Sequence, residues 1–273
     1  MTYATKDYQV TAIEQLIKSI TDLLAIDAAN KVCVFQSPTG SGKTVIVAKF
    51  IEELIKDQSE TDLCFLWVSI GKGELHKQSK HTLEKIFDGF PQCFLVEDEF
   101  FGSRNIIEQN EVVVVNWEKL RSKERSTGDW KSKVMRDGEE TNFIEVLEAT
   151  KEKRKIILII DESHFASDTQ RTNELRQIVN ADVTLEMSAT PKLLGEQINL
   201  LRTMPCPVSF NNGASYFIYV KPADVIAEGM IKKELIINEG IAELADDEKT
   251  SQDIIIEAAY EKRIALKAEY EVA

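Results

Sequence analysis

A chain of 273 residues, 43% of them hydrophobic and 29% charged, is long enough for one large or two small domains and has the composition of an ordinary globular protein. Its formal net charge of −13 argues against a surface that adheres broadly to nucleic acid. From Pro222 onward 13 acidic residues face 6 basic ones, so over half of the excess lies in the last fifth, and a nucleic-acid track elsewhere stays open. No apolar run approaches the ~20 residues of a membrane span, and the N-terminus has no signal-peptide core. The four cysteines form no C-x-x-C pair; Cys33, Cys64 and Cys93 lie in apolar runs and read as buried free thiols of a cytoplasmic protein.

In chain order, helix-period segments alternate with short apolar runs, the pattern of a parallel α/β sheet. A helix is predicted over 8–24, a strand over 31–36, a helix over 43–55, a strand over 63–69 and a helix over 74–87. Strands over 92–96 and 111–116, a helix over 142–151, and strands over 155–160 and 183–188 follow. The strands are rich in Val, Ile, Leu and Phe, as expected when both faces are covered. Residues 121–140 interrupt the rhythm with a polar stretch in which Lys123, Arg125, Lys131, Lys133 and Arg136 surround Trp130. That stretch reads as a solvated surface loop or as a nucleic-acid contact. After Pro191 the pattern loosens, with a short helix over 222–229 and a strand over 230–238. Residues 242–272 read as an acidic linker running into an amphipathic helix without a partner for its apolar face, as a truncated chain would leave it.

Ser37-Pro38-Thr39-Gly40-Ser41-Gly42-Lys43-Thr44 stands between a predicted strand and a predicted helix. Backbone N–H groups in a glycine-permitted turn, together with the positive end of a helix, cradle phosphate oxygens. Gly40 and Gly42 permit the turn, Lys43 reaches the β- and γ-phosphates, and the Thr44 hydroxyl ligates Mg²⁺. Ser37 takes the place of the usual first glycine, where a small residue suffices. Farther on, the strand 155–160 delivers Asp161-Glu162-Ser163-His164 at its carboxyl end, the edge at which ligands bind in open α/β sheets. Asp161 is expected to hold Mg²⁺ through water, and Glu162 to orient and deprotonate the attacking water. His164 reads either as a packing residue or as a relay toward the next motif. His76 and His81 are expected at the surface.

The strand over 183–187 ends in Ser188-Ala189-Thr190-Pro191. In this order, Ser37–Thr44, Asp161–His164 and Ser188–Thr190 resemble motifs one, two and three of the superfamily-two helicases and translocases. The resemblance implies a three-layer RecA-like P-loop NTPase domain with a mainly parallel sheet, using ATP and Mg²⁺. It also implies that Ser188 and Thr190 couple nucleotide state to the nucleic-acid site. Tyr8-Gln9 is similar to the upstream glutamine motif, which makes Gln9 the adenine contact through its paired donor and acceptor; Lys6-Asp7 stands where that motif often carries an arginine. Leu66–Ser69, Leu75–Gln78 and Val115–Leu120 resemble backbone-contacting motifs, so Ser69, Gln78 and Asn116 are candidates for nucleic-acid contacts or for packing.

A finer resemblance, carried by Leu75–Ser79, Asn116–Leu120 and Asp224–Lys233, is to the restriction subunits of type III restriction-modification systems. It implies duplex DNA as the track and a methyltransferase as partner subunit. Residues 1–238 would form the first motor domain, and 239–273 the acidic linker and the start of a second. Without the arginines of that second domain, weak Mg-ATP binding and slow or no hydrolysis are expected. An RNA helicase of the DEAD/DEAH type, or a nucleotide-dependent switch without translocation, are the alternatives. A small-molecule kinase is rejected, because Ser188-Ala189-Thr190 has no role there.

Overall fold

The computed structural model describes residues 5–28, 31–69, 74–96, 104–116, 121–123, 130–132, 143–161, 175–191, 208–210, 213–232, 260 and 263–264. The chain divides into two units, Met1–Ile231 and Lys232–Ala273. The first holds every labelled element: α1 (Asp7–Ala25), β1 (Lys31–Gln36), α2 (Lys43–Asp57), β2 (Leu63–Ser69), α3 (Leu75–Phe87), β3 (Cys93–Leu95) and β4 (Val112–Asn116). After these come β5 (Arg121–Lys123), β6 (Trp130–Ser132), α4 (Phe143–Lys151), β7 (Lys155–Asp161), β8 (Val183–Ser188), β9 (Val208–Phe210), β10 (Gly213–Tyr219) and α5 (Pro222–Ala227). In the second unit, Tyr260, Arg263 and Ile264 are helical, inside the expected terminal helix; the rest of it lies outside the described residues.

Eight strands form one sheet in the order β3-β4-β2-β7-β8-β1-β10-β9. All neighbours are parallel except β9 against β10. Parallel strands need crossovers, and helices supply them on both faces. Successive side chains therefore enter two different cores. Leu63, Phe65 and Trp67 of β2, with Ile157 and Ile159 of β7, join α1, α2 and α3 in the larger one. Cys64, Leu66 and Val68, with Ile156, Leu158 and Ile160, join α4 and Leu175 and Val179 in the smaller. This is the three-layer RecA-like arrangement, and it explains why β2 reads as an unbroken apolar run: all seven of its residues are buried. On α1, Ala12, Leu16, Ile20 and Leu23 recur at helical spacing and are fully or almost fully buried. Cys33, Cys64 and Cys93 are buried, and burial pushes the Cys33 and Cys64 thiols far above their ordinary range.

The structure departs from the sequence reading in several places. The stretch 121–140, expected as a loop, contains the antiparallel pair β5–β6. β10, unforeseen, lies beside β1 and pairs with it in parallel. Its burial alternates, with Tyr216, Ile218 and Val220 inside and their neighbours half exposed, so it lacks the continuous apolar signature of the inner strands. Met230 to Lys232 are not in a strand, and the remainder of the strand expected over 230–238 lies outside the described residues.

Candidate functional site

Because β1, β2, β7 and β8 run parallel, their carboxyl ends share one edge. The register sets Ser69 opposite both Asn116 and Asp161, and Gln36 opposite Ser188. A cleft of about 390 Å³ opens at this edge, lined by Thr39, Gly40, Gly42, Lys43, Thr44, Asp161 and the α3 residues Leu75, Gln78, Ser79 and Thr82, with Ser69 between. The phosphate-loop residues and the acidic residue expected to hold Mg²⁺, about 120 positions apart in sequence, are thereby brought to one site.

The loop closes on itself. The Ser37 and Ser41 hydroxyls, both fully buried, lie 2.6 Å apart, and Ser41 N–H donates to the Pro38 carbonyl at 3.2 Å. Ser37 thus does more than tolerate the usual glycine position, since its hydroxyl pins the turn. Gly40 and Gly42 have φ of +83° and +80°, in the left-handed region that L side chains avoid. A Cβ on Gly42 would come within 2.9 Å of Gln9 Nε2, and one on Gly40 within 3.0 Å of Ile231 Cγ2. Gly42 is the N-cap of α2, so the helix begins at Lys43 with its unpaired N–H groups toward the loop. Lys43, 9% exposed, donates from Nζ to the Ser37 carbonyl at 3.4 Å.

α1 braces the loop from behind. Tyr8 Oη donates to the Ser41 carbonyl at 2.7 Å, and Gln9 Nε2 donates to the same oxygen at 3.1 Å. Gln9 Oε1 accepts from the Lys6 N–H at 3.0 Å, so both ends of its amide are engaged. Burial pushes the Tyr8 phenol above its ordinary range; the Gln9 contact opposes the shift and the Glu228 carboxylate adds to it. Tyr8 also lines a second cleft of about 460 Å³, between α1, the end of β10 and α5.

The end of β8 is stitched to the loop's first residues. Ser37 N–H donates to the Ser188 carbonyl at 3.1 Å, and Gln36 Nε2 to the Ala189 carbonyl at 3.2 Å. Thr190 N–H donates to Ser188 Oγ at 3.1 Å, leaving Thr190 exposed and Ser188 buried. Glu162 and His164 lie outside the described residues.

Of the three nucleic-acid candidates, Ser69 and Gln78 line the same cleft as the phosphate loop. Asn116 is 2% exposed, and its Nδ2 lies 3.5 Å from His76 Nδ1. His76 itself is fully buried, not at the surface as expected, whereas His81 is exposed. Sequence reasoning assigned no role to Ser79, whose Oγ donates to Asp161 Oδ2 at 3.4 Å. The readable signal was a polar stripe, Gln78, Ser79 and Thr82, at helical spacing from Leu75.

The site's residues fit a Mg-nucleotide. Gly40 and Gly42 hold the left-handed turn, a hydroxyl and a carboxylate stand in one cleft, and Ser69 Oγ is buried without a protein partner among the described residues. Among the described residues no three His, Cys, Asp or Glu side chains cluster to hold a metal by themselves. One carboxylate and one hydroxyl suit Mg²⁺, which keeps several waters and takes its other oxygens from phosphates.

Residues 2–193 match the family described as type III restriction enzyme, res subunit. A comparison with curated proteins gives no match. Among solved structures, the chain is similar to a nuclease-deletion mutant of the Type ISP restriction-modification enzyme LlaGI in complex with a DNA substrate mimic (16% identity, TM-score 0.47, covering 90% of this chain and 23% of that one). It is also similar to Dbp5 of S. cerevisiae bound to RNA and ADP BeF3 (14%, 0.42, 81% and 52%). A third is the DUF1998 helicase MrfA bound to DNA (17%, 0.38, 79% and 27%). The chain thus spans from about a quarter to about half of the length of these proteins.

Proposed function

We propose, for a chain that belongs to the type III restriction enzyme res subunit family and is a superfamily-two helicase ATPase motor domain, that it powers movement along duplex DNA within a restriction enzyme. The observation that carries this reading is the meeting of the phosphate loop, Asp161 and the Ser188–Thr190 segment at one edge of the sheet.

In this reading the N–H groups of the loop and of the first turn of α2 hold the phosphates, and Lys43 leaves the Ser37 carbonyl for the terminal phosphate. The cation, held by Thr44 and Asp161, would neutralise charge on the phosphates. Gln9 turns its amide toward the adenine edge. Glu162, next to Asp161 in the chain, orients and deprotonates the attacking water, and His164 relays toward the third motif. Any movement of the loop pulls on the Ser188 and Ala189 carbonyls, which supports Ser188 and Thr190 as the coupling pair. Gln78 is the exposed member of the nucleic-acid trio; Ser69 and Asn116 have little surface to offer a phosphodiester track. The whole protein is read as cytoplasmic, working with a methyltransferase subunit, with residues 1–238 as the first motor domain and 239–273 leading toward a second. The chain by itself then binds Mg-ATP weakly and turns it over slowly or not at all.

The test is binding of a fluorescent ATP analogue with Mg²⁺, and of labelled duplex DNA and RNA with and without nucleotide. The expected result is nucleotide binding lost in Lys43→Ala, and nucleotide-dependent affinity for duplex DNA above that for RNA. Preference for RNA would replace the reading with an RNA helicase; nucleotide binding that never alters nucleic-acid affinity would replace it with a switch.

A further inference from the structure

The phosphate-loop side of the cleft offers hydrogen-bond donors, namely backbone N–H groups and the Lys43 ammonium. Water bound to a divalent cation has the opposite need. Its oxygen lone pairs face the metal, so each such water has two protons to place on acceptors, and Mg²⁺ keeps several waters in sites of this kind. Acceptors must come from the facing wall, built by β2, β7 and α3.

Two hydroxyls stand there beside Asp161. Ser69 ends β2 opposite Asp161 in the register and is 3% exposed. Leu63, Phe65 and Trp67 point into the larger core, and Ser69 continues that row where it reaches the cleft. Its Oγ is buried with no hydrogen-bond partner among the described residues. Such a group is costly, because it gives up water without replacing it, and an alanine would fill the place at no polar cost. Ser79, 8% exposed, directs its proton to Asp161 Oδ2 at 3.4 Å, which leaves the oxygen's lone pairs for another donor. A phosphate oxygen suits neither hydroxyl, since the Asp161 carboxylate beside them repels an anion.

We propose that Ser69 and Ser79 accept hydrogen bonds from water on the divalent cation anchored by Asp161, so that the β2–α3 wall orders the hydration of that cation. This rests on the nucleotide-site reading above. Both are positioning residues, acting on the metal through its water.

The experiment is a Mn²⁺ titration of the full 273-residue chain saturated with ADP, free Mn²⁺ being read by electron paramagnetic resonance. Melting temperatures are measured with and without Mn²⁺-ADP. For the loss of one hydrogen bond, Ser69→Ala and Ser79→Ala should each weaken Mn²⁺ by roughly 3- to 10-fold. Ser79→Thr, which keeps the hydroxyl, should recover the affinity. Ser69→Ala should leave the ligand-free melting temperature unchanged or raised while shrinking the gain from Mn²⁺-ADP, a sign pattern that a packing role does not produce. If Asp161→Asn loses Mn²⁺ but both alanine variants match the parent chain, the hydration role is overturned and the nucleotide site stands. If the parent chain with ADP takes up no Mn²⁺, both fall. A ligand-free melting temperature lowered by Ser69→Ala, with an unchanged gain from Mn²⁺-ADP, would make Ser69 structural and also overturn the proposal.

Discussion

On the phosphate-loop side of the cleft, the side chains that shape the turn already have protein partners. Ser37 meets Ser41, the Ser41 carbonyl takes Tyr8 and Gln9, and Lys43 rests on Ser37. On the β2–α3 side the Ser69 hydroxyl is buried and has no partner among the described residues, and Ser79 reaches Asp161 only at 3.4 Å. The turn of the first wall is preorganised: the Ser37–Ser41 contact and the Tyr8 bond to the Ser41 carbonyl hold its backbone without ligand, so little ordering of the loop remains to be done when phosphates arrive. The second wall is less complete, and in the proposal above water on the cation supplies what its hydroxyls lack. Substitutions in the two walls should therefore differ in sign without nucleotide: losses on the first side, neutrality or gain at Ser69.

The largest effect that would break the preorganised wall is expected at Gly42. Gly42→Ala forces a side chain into φ of +80° and against Gln9 Nε2. The left-handed backbone costs ~1–2 kcal/mol, and displacing Gln9 from the Ser41 carbonyl adds ~1 kcal/mol. Urea denaturation of the ligand-free chain should show ~2–3 kcal/mol in all, and nucleotide affinity should fall with it; an unchanged midpoint would mean that the loop is not under this constraint.

Next comes Ser37→Ala, which strands the fully buried Ser41 hydroxyl at a cost of ~1–3 kcal/mol. The double variant Ser37→Ala/Ser41→Ala should cost less than the sum of the two single changes, because it leaves neither hydroxyl behind. Strict additivity in that cycle would show that the 2.6 Å contact contributes nothing to the loop.

Smallest is Tyr8→Phe, which removes one of the two donors on the Ser41 carbonyl while Gln9 stays. A loss of ~1 kcal/mol is expected. Burial holds the Tyr8 phenol above its ordinary pKa, so it stays a neutral donor throughout the usual pH range and the loss should not vary between pH 6 and 9.

Local spacing made one part of the molecule legible. The phosphate loop works through consecutive backbone groups and a single strand–turn–helix, so its residue types appear together in the chain. The inner strands were legible for a related reason: burial on both faces leaves continuous apolar runs, and β1, β2 and β8 fall where the pattern put them. His76 was not legible. It sits in the polar-looking helix Leu75–Phe87, yet it is fully buried beside Asn116 of β4. β10 was missed because it is buried on alternate residues only.

The sequence by itself therefore determined the fold class, the phosphate loop and the identity of the acidic residue at the end of β7, each encoded within a few consecutive residues. The tertiary structure alone decided which side chains share the cleft. The strand order β4-β2-β7-β8-β1 sets Ser69 beside Asp161, joins Ser188 to Ser37 and turns Ser79 toward the same carboxylate. Sheet neighbours are chosen by packing and crossover geometry across long sequence separations, and no local pattern of residues records that choice.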